Sequence, residues 1–194
     1  MVNMNPKGNV ATANAIKDIN KLNDMKDWLL KHNERDYLLF VLGINSGLRI
    51  TDLLKLTVED VKDGSVIIRE QKTHKTKQFA LSDTCIRAIN QYLENTGIKT
   101  GTLFPSASCR TRGKPITREY AWSIFKKAAN YVGITENIGT HSMRKSFAYW
   151  ALRNGVDIAF IMEALNHSDL VHTKRYIGIT ADELNNVLYK NMNL

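Results

Sequence analysis

Cysteine is scarce in this chain. Cys85 and Cys109 are the only two, and they do not form a C-x-x-C pair. That argues against a disulfide-stapled secreted fold and fits a reducing cytoplasm. Cys85 falls in an apolar helical pattern and reads as core. Long hydrophobic runs are also missing: the longest, Tyr37–Ile44, is far too short to span a bilayer, and no signal peptide opens the chain. No Gly-rich phosphate loop occurs, which argues against a nucleotide-driven enzyme, and no H-E-x-x-H. His167 and His172 lack the further ligands a metal would need, so neither metal nor organic cofactor is expected. Acids are in deficit, 19 against 27 Lys plus Arg, for a formal charge of +8. The excess favours a polyanionic partner, nucleic acid or an anionic membrane surface. Its clustering in Arg69–Lys77, Arg110–Arg118 and Lys174–Arg175 favours a binding face.

The patterning predicts a mostly α domain with one small antiparallel β-sheet. Met1–Ala15 is polar and aperiodic and reads as a flexible tail or linker, leaving 16–194 as the folded domain. From Ile16 a helix carries Leu22, Met25, Trp28 and Leu29 at three- and four-residue steps. Asn33 caps a second helix, broken at Ser46–Gly47, and a short third carries Ile50, Leu53, Leu54 and Leu56. Ser65–Glu70 and Lys77–Leu81 form a hairpin with a polar tip. Ser82 caps a helix through Asn95, a loop runs over 96–115, and Thr117 opens a helix ending near Gly133. Thr140 caps the next, stopped by Gly155. A helix over Val156–Leu165 follows, and Thr180–Glu183 is a capping box for a last helix with Leu184, Val187 and Leu188 on one side.

The chemistry centres on HSDLVHTKRY, His167–Tyr176. A phenol ionises near pH 10 and is a poor nucleophile at pH 7. The cations flanking it, Lys174 and Arg175, are expected to favour the phenolate and hold a phosphate diester near it. In SGLRITDLL, Asp52 lies three residues after Arg49 and is expected to orient its guanidinium, leaving other donors for a phosphate. His141 and Arg144 share the same three-residue spacing in THSMRKSF. Lys72 sits near the hairpin tip, with Lys75 and Lys77 as competitors for a proton-donor role. Two arginines, two histidines, a lysine and a tyrosine suit phosphoryl transfer, in which preplaced cations stabilise charge building on the equatorial oxygens.

These segments resemble the tyrosine recombinases, or phage-type integrases, from about Asp24 to the C-terminus. GLRITDLLKLTVEDV is similar to the family's first box, VIIREQKTHKTKQFAL to its lysine hairpin, THSMRKSFAYWAL to its second box and LNHSDLVHTKRYIGI to its closing box. The resemblance implies the catalytic-domain fold of that family and site-specific DNA cleavage and rejoining without ATP. It implies that Tyr176 attacks to give a 3′-phosphotyrosyl link and a free 5′-hydroxyl. Arg49 and Arg144 would clamp the phosphate, with His141 as base or phosphate donor, His167 as a further donor and Lys72 as general acid. Asp52 would support the first arginine, and Lys75, Lys77, Lys174 and Arg175 would contact DNA. It also implies a cytoplasmic, nucleoid-associated protein of bacterial or phage origin, monomeric in solution and tetrameric on paired double-stranded DNA sites.

Two departures stand out. Asn166 replaces the family's usual glycine, and Asn tolerates the left-handed backbone that the turn needs. The family's N-terminal DNA-clamping domain is not evident, which predicts weaker DNA affinity than that of two-domain relatives. A silent DNA-binding regulator and a type IB topoisomerase-like relaxing enzyme are the competing readings.

Overall fold

The computed structural model describes residues 13–72 and 74–178. The eight α-helices among them are α1 (Ile19–His32), α2 (Glu34–Ser46), α3 (Ile50–Leu53), α4 (Asp83–Thr96), α5 (Arg118–Tyr131), α6 (Thr140–Arg153), α7 (Ile158–Ala164) and α8 (Leu170–Ile177). Strands β1 (Ser65–Arg69) and β2 (Thr76–Ala80) form the antiparallel hairpin, with Val66 opposite Phe79 and Ile68 opposite Lys77. The expected capping box and apolar stripe at 180–188 lie outside the described residues. No helix among the described residues is long and apolar enough to cross a membrane.

The apolar pattern of α1 buries Leu22, Met25, Trp28 and Leu29, as its spacing predicts. Asn33 caps α2 by accepting from the Arg35 and Asp36 amides. The run in α2 is apolar all round rather than on one stripe, so the helix sits in the middle of the domain. It packs against α1, α4 and α6.

Two glycines bring α6 close to α2. A Cβ on Gly43 would lie 2.3 Å from Met143 Sδ, and one on Gly47 would lie 2.4 Å from Phe147. Gly47 also ends α2 in the left-handed conformation, at φ 61°. The chain thus turns directly from α2 to Arg49, beside the first turns of α6.

The cap of α6 differs from expectation. Thr140 is its first helical residue and Gly139 is the cap. The Gly139 amide donates to Ser142 Oγ at 3.0 Å, and Gly139 packs where a Cβ would stand 3.2 Å from Trp122. Asn14, near the end of the expected tail, and Ile16, the first residue of the expected domain, are both tied to the fold. The Asn14 amide donates to the Asn137 carbonyl, and that of Ile16, itself buried, donates to Ser146 Oγ.

One main core joins α1 to α6 and the inner face of the hairpin. A smaller cluster of Ala148, Tyr149, Ile161, Leu165 and Ile177 ties α7 and α8 to α6. The tyrosine-bearing helix is therefore anchored through this second cluster.

Candidate active site

Arg49, Lys72, His141, Arg144, His167 and Tyr176 line one cavity of about 390 Å³, together with Asn166, Ser168 and His172. Separate elements deliver them: the α2–α3 turn, the hairpin tip, the start of α6, the turn after α7, and α8.

Arg144 is buried and donates to the carbonyls of Gly47 and Leu165. Its fork is thus fixed between the ends of α2 and α7, with three of its five N–H groups left over. Arg49 is mostly buried, and its Nη1 lies 2.9 Å from Glu70 Oε1.

The carboxylate beside Arg49 is therefore Glu70, not Asp52. Arg49 is the cap of α3 in extended conformation, so the three-residue helical spacing that would align it with Asp52 does not apply. Asp52 is buried and accepts from the Gln71 amide at 2.9 Å, fastening the hairpin to α3. No sequence pattern marks Glu70 for this role. Its place at the strand end, two residues before Lys72, was the only available signal.

Of the three hairpin lysines, Lys72 is the one that lines the cavity. Lys75 is exposed. Lys77 donates to the Ala164 carbonyl at 2.8 Å, and burial, then Arg144, push it down to about 8.

Tyr176 Oη is buried and makes no hydrogen bond of good geometry among the described residues, and the same holds for Arg49 Nη1. Burial raises the phenol above its ordinary value, while Arg144 and then Arg49 oppose the rise. Lys145 lies 5.2 Å from the ring centroid. The cations acting on the phenol are thus not its sequence neighbours. Lys174 and Arg175 are exposed, because adjacent residues on a helix point in different directions.

His167 Nδ1 lies 3.1 Å from Thr173 Oγ1, and that hydroxyl donates to the Asp169 carbonyl at 3.0 Å. A hydroxyl has one proton, so it accepts from His167, which leaves Nε2 with a lone pair. Burial first, then His172, Arg144 and Arg49, lower His167 to about 4. The ring is neutral at pH 7 and stands edge-on to Tyr176, 4.9 Å between centroids. His141 is also lowered, by burial and then by Arg144, Arg118, Lys145 and Arg49.

The His167 shift has a measurable sign. An unfolded chain protonates this ring near pH 6.5, the folded one near 4, so the unfolded state binds more protons between them and stability rises with pH across that window. An NMR titration midpoint near 4 is expected, along with a melting temperature that falls on acidification from about 6.5, less steeply in His167→Gln. A midpoint near 6.5 would contradict the burial.

A tyrosine with a buried hydroxyl sharing a cavity with two arginines, on a mostly helical domain with one hairpin, is the arrangement expected of the tyrosine-type integrases and recombinases, enzymes that cleave and rejoin DNA. The chain belongs to the phage integrase family, whose model matches residues 11–183. It is 40% identical over 168 residues to a probable integrase/recombinase, YoeC, of Bacillus subtilis, covering 86% of this chain and 90% of that one. It is 32% identical over 160 residues to tyrosine recombinase XerA of Pyrococcus horikoshii, covering 81% of this chain and 55% of XerA. The XerH recombinase crystallised with palindromic difH DNA, in a post-cleavage complex, shares the fold at a TM-score of 0.70 and 21% identity, covering 88% of this chain and 51% of XerH. The chain thus spans about half the length of XerA and XerH.

Proposed function

We propose that the chain cuts and rejoins double-stranded DNA at specific sites through Tyr176. The observation that carries this reading is the meeting of six groups around one cavity, with the Tyr176 hydroxyl beside the guanidinium of Arg144.

In the proposed reaction Tyr176 Oη attacks the scissile phosphorus in line with the 5′-oxygen. A bond forms from phenol oxygen to phosphorus and the bond to the 5′-oxygen breaks, giving a 3′-phosphotyrosyl link. The phenol proton passes to His141, which takes the base role that the resemblance allows it. His167, lowered to about 4, is too weak a base to hold that proton, and its Nε2 lone pair accepts a hydrogen bond from the phenol in place of the donor role implied by the resemblance. Lys72 gives a proton to the departing 5′-oxygen. Arg49 and Arg144 hold the non-bridging oxygens as charge builds on them. Asp52 supports them by tying down the hairpin. The reverse attack by a 5′-hydroxyl rejoins the strand, and the covalent link conserves the energy, so ATP is not consumed.

Lys174, Arg175, Lys75 and Lys77 are assigned to DNA contact, with Lys77 acting mainly through its hold on Ala164. The assembly we propose is monomeric in solution and tetrameric on paired DNA sites.

Mass spectrometry of the adduct formed on nicked duplexes carrying candidate sites tests this reading. A peptide containing Tyr176 joined to a 3′-phosphate is expected; an adduct on another residue, or none on any duplex that the protein binds, sinks it. For Lys72→Ala we expect cleavage slowed by about 10²–10⁴-fold, the usual range for losing a general acid. A 5′-thio leaving group, which departs without protonation, should restore much of the rate. No restoration would remove Lys72 from the acid role.

A further inference from the structure

Glu70 is a fully buried acid within a cationic site. It follows the last residue of β1, and its two oxygens face different elements. Oε1 is 2.9 Å from Arg49 Nη1. Oε2 accepts from Asn166 Nδ2 at 2.7 Å. Asn166 in turn has φ 49°, in the left-handed region, and its turn is closed by Asn166 N to Glu163 O at 2.8 Å and His167 N to Met162 O at 3.0 Å. One carboxylate thus touches the first arginine and the turn that carries His167, while the chain leads from it to Lys72 two residues on.

The identity of residue 166 is restricted from two directions. The left-handed backbone favours Gly, Asn or Asp. Glycine has no side chain to reach Glu70, and an aspartate would set a second carboxylate against it. Asparagine alone of the three supplies a donor. The contact between Glu70 and Arg49 is an ion pair through Nη1; a guanidinium carries five N–H groups, so this one contact does not exhaust it.

The geometry points to Glu70 and Asn166 as a positioning pair for strand cleavage: the Asn166 amide fixes the Glu70 carboxylate, and the carboxylate holds Arg49 at the cavity in register with Lys72 and His167. Glu70 acts through Arg49 and does not touch the phosphate. The inference rests on the cleavage reaction proposed above.

Three variants test it: Glu70→Gln, Asn166→Gly, and the double variant Glu70→Gln/Asn166→Asp. The double variant restores an amide–carboxylate hydrogen bond with the roles exchanged, but moves the negative charge from beside Arg49 onto the turn. Single-turnover cleavage at saturating protein, the half-saturating protein concentration, and the melting temperature are measured for each.

For Glu70→Gln the rate should fall roughly tenfold to a hundredfold, the scale of a small misplacement of a catalytic group, with half-saturation changed by less than about twofold. Asn166→Gly keeps the left-handed turn and should lose rate by a smaller factor. The double variant should recover melting temperature and not rate. Recovery of both would show that the hydrogen bond between hairpin and turn matters and the charge at position 70 does not, overturning the proposal. An unchanged rate in Glu70→Gln or in Asn166→Gly would overturn it equally. Failure of the wild-type chain to form a Tyr176 adduct would instead count against the cleavage reading itself.

Discussion

Replacing Tyr176 by phenylalanine should abolish covalent attachment to a nicked duplex while leaving the fold and DNA binding in place. The substitution removes one atom. The ring keeps its edge-on contact with His167, its place 5.2 Å from Lys145 Nζ, and its packing against the cluster of Tyr149, Ile161, Leu165 and Ile177. The hydroxyl's interaction with the Arg144 guanidinium is lost, but Arg144 keeps its bonds to the carbonyls of Gly47 and Leu165. The melting temperature should therefore change little, within the ~1 kcal/mol of one net hydrogen bond. Arg49, Arg144 and Lys72 remain to hold the phosphate, so gel-shift affinity should stay near that of the wild type. No other described tyrosine lines the cavity. Denaturing electrophoresis and peptide mass spectrometry read the result. Capture of the DNA through Tyr149, or through Tyr189, which lies outside the described residues, would refute the assignment of the nucleophile.

Local signals account for what the sequence made legible. The caps at Asn33, Ser82 and Thr117 fall where side-chain acceptors meet the first free amides, and the hairpin strands differ from expectation by one residue at most of their ends. The six catalytic candidates were also visible, because each sits in a short motif whose order resembles a known family. What stayed hidden depends on tertiary approach. Asp52 looked like the partner of Arg49 by spacing, but spacing presumes a helix that begins before Arg49, and the helix begins after it. Glu70 looked like a strand end; only folding brings it against Arg49 and Asn166. Lys174 and Arg175 looked like the cations of Tyr176 because they adjoin it in the chain, whereas the guanidinium groups acting on the phenol arrive from α6 and from the α2–α3 turn. Nothing local announces that Gly43 and Gly47 are small so that α6 can lie against α2, yet that approach sets Arg144 beside Arg49.

Arg144 should be the most demanding of the cationic positions, in stability and in rate together. Arg49 is held mainly by the charge of Glu70, whereas Arg144 donates to the carbonyls of Gly47 and Leu165 and so stitches the end of α2 to the end of α7. Alanine would leave both carbonyls unpaired in a buried setting, at about 1–3 kcal/mol each, and would remove the strongest cation opposing the rise in the phenol pKa. Its lost cleavage would then mix folding with chemistry. Lysine separates the two. It keeps the positive charge, but its compact ammonium cannot meet two backbone carbonyls and a phosphate with one planar fork. If Arg144 spends two donors on the fold and offers the rest to the phosphate, Arg144→Lys should fold, bind DNA within a few-fold of wild type, and cleave about 10²–10³-fold more slowly, as for a lost transition-state donor. The slowing should appear in single-turnover rates at saturating protein rather than in half-saturation, because the charge on the phosphate grows only as the phenol oxygen attacks. A lysine variant cleaving within about tenfold of wild type would mean that Arg144 supplies only charge, and the fork geometry set by Gly47 and Leu165 would have no part in the reaction.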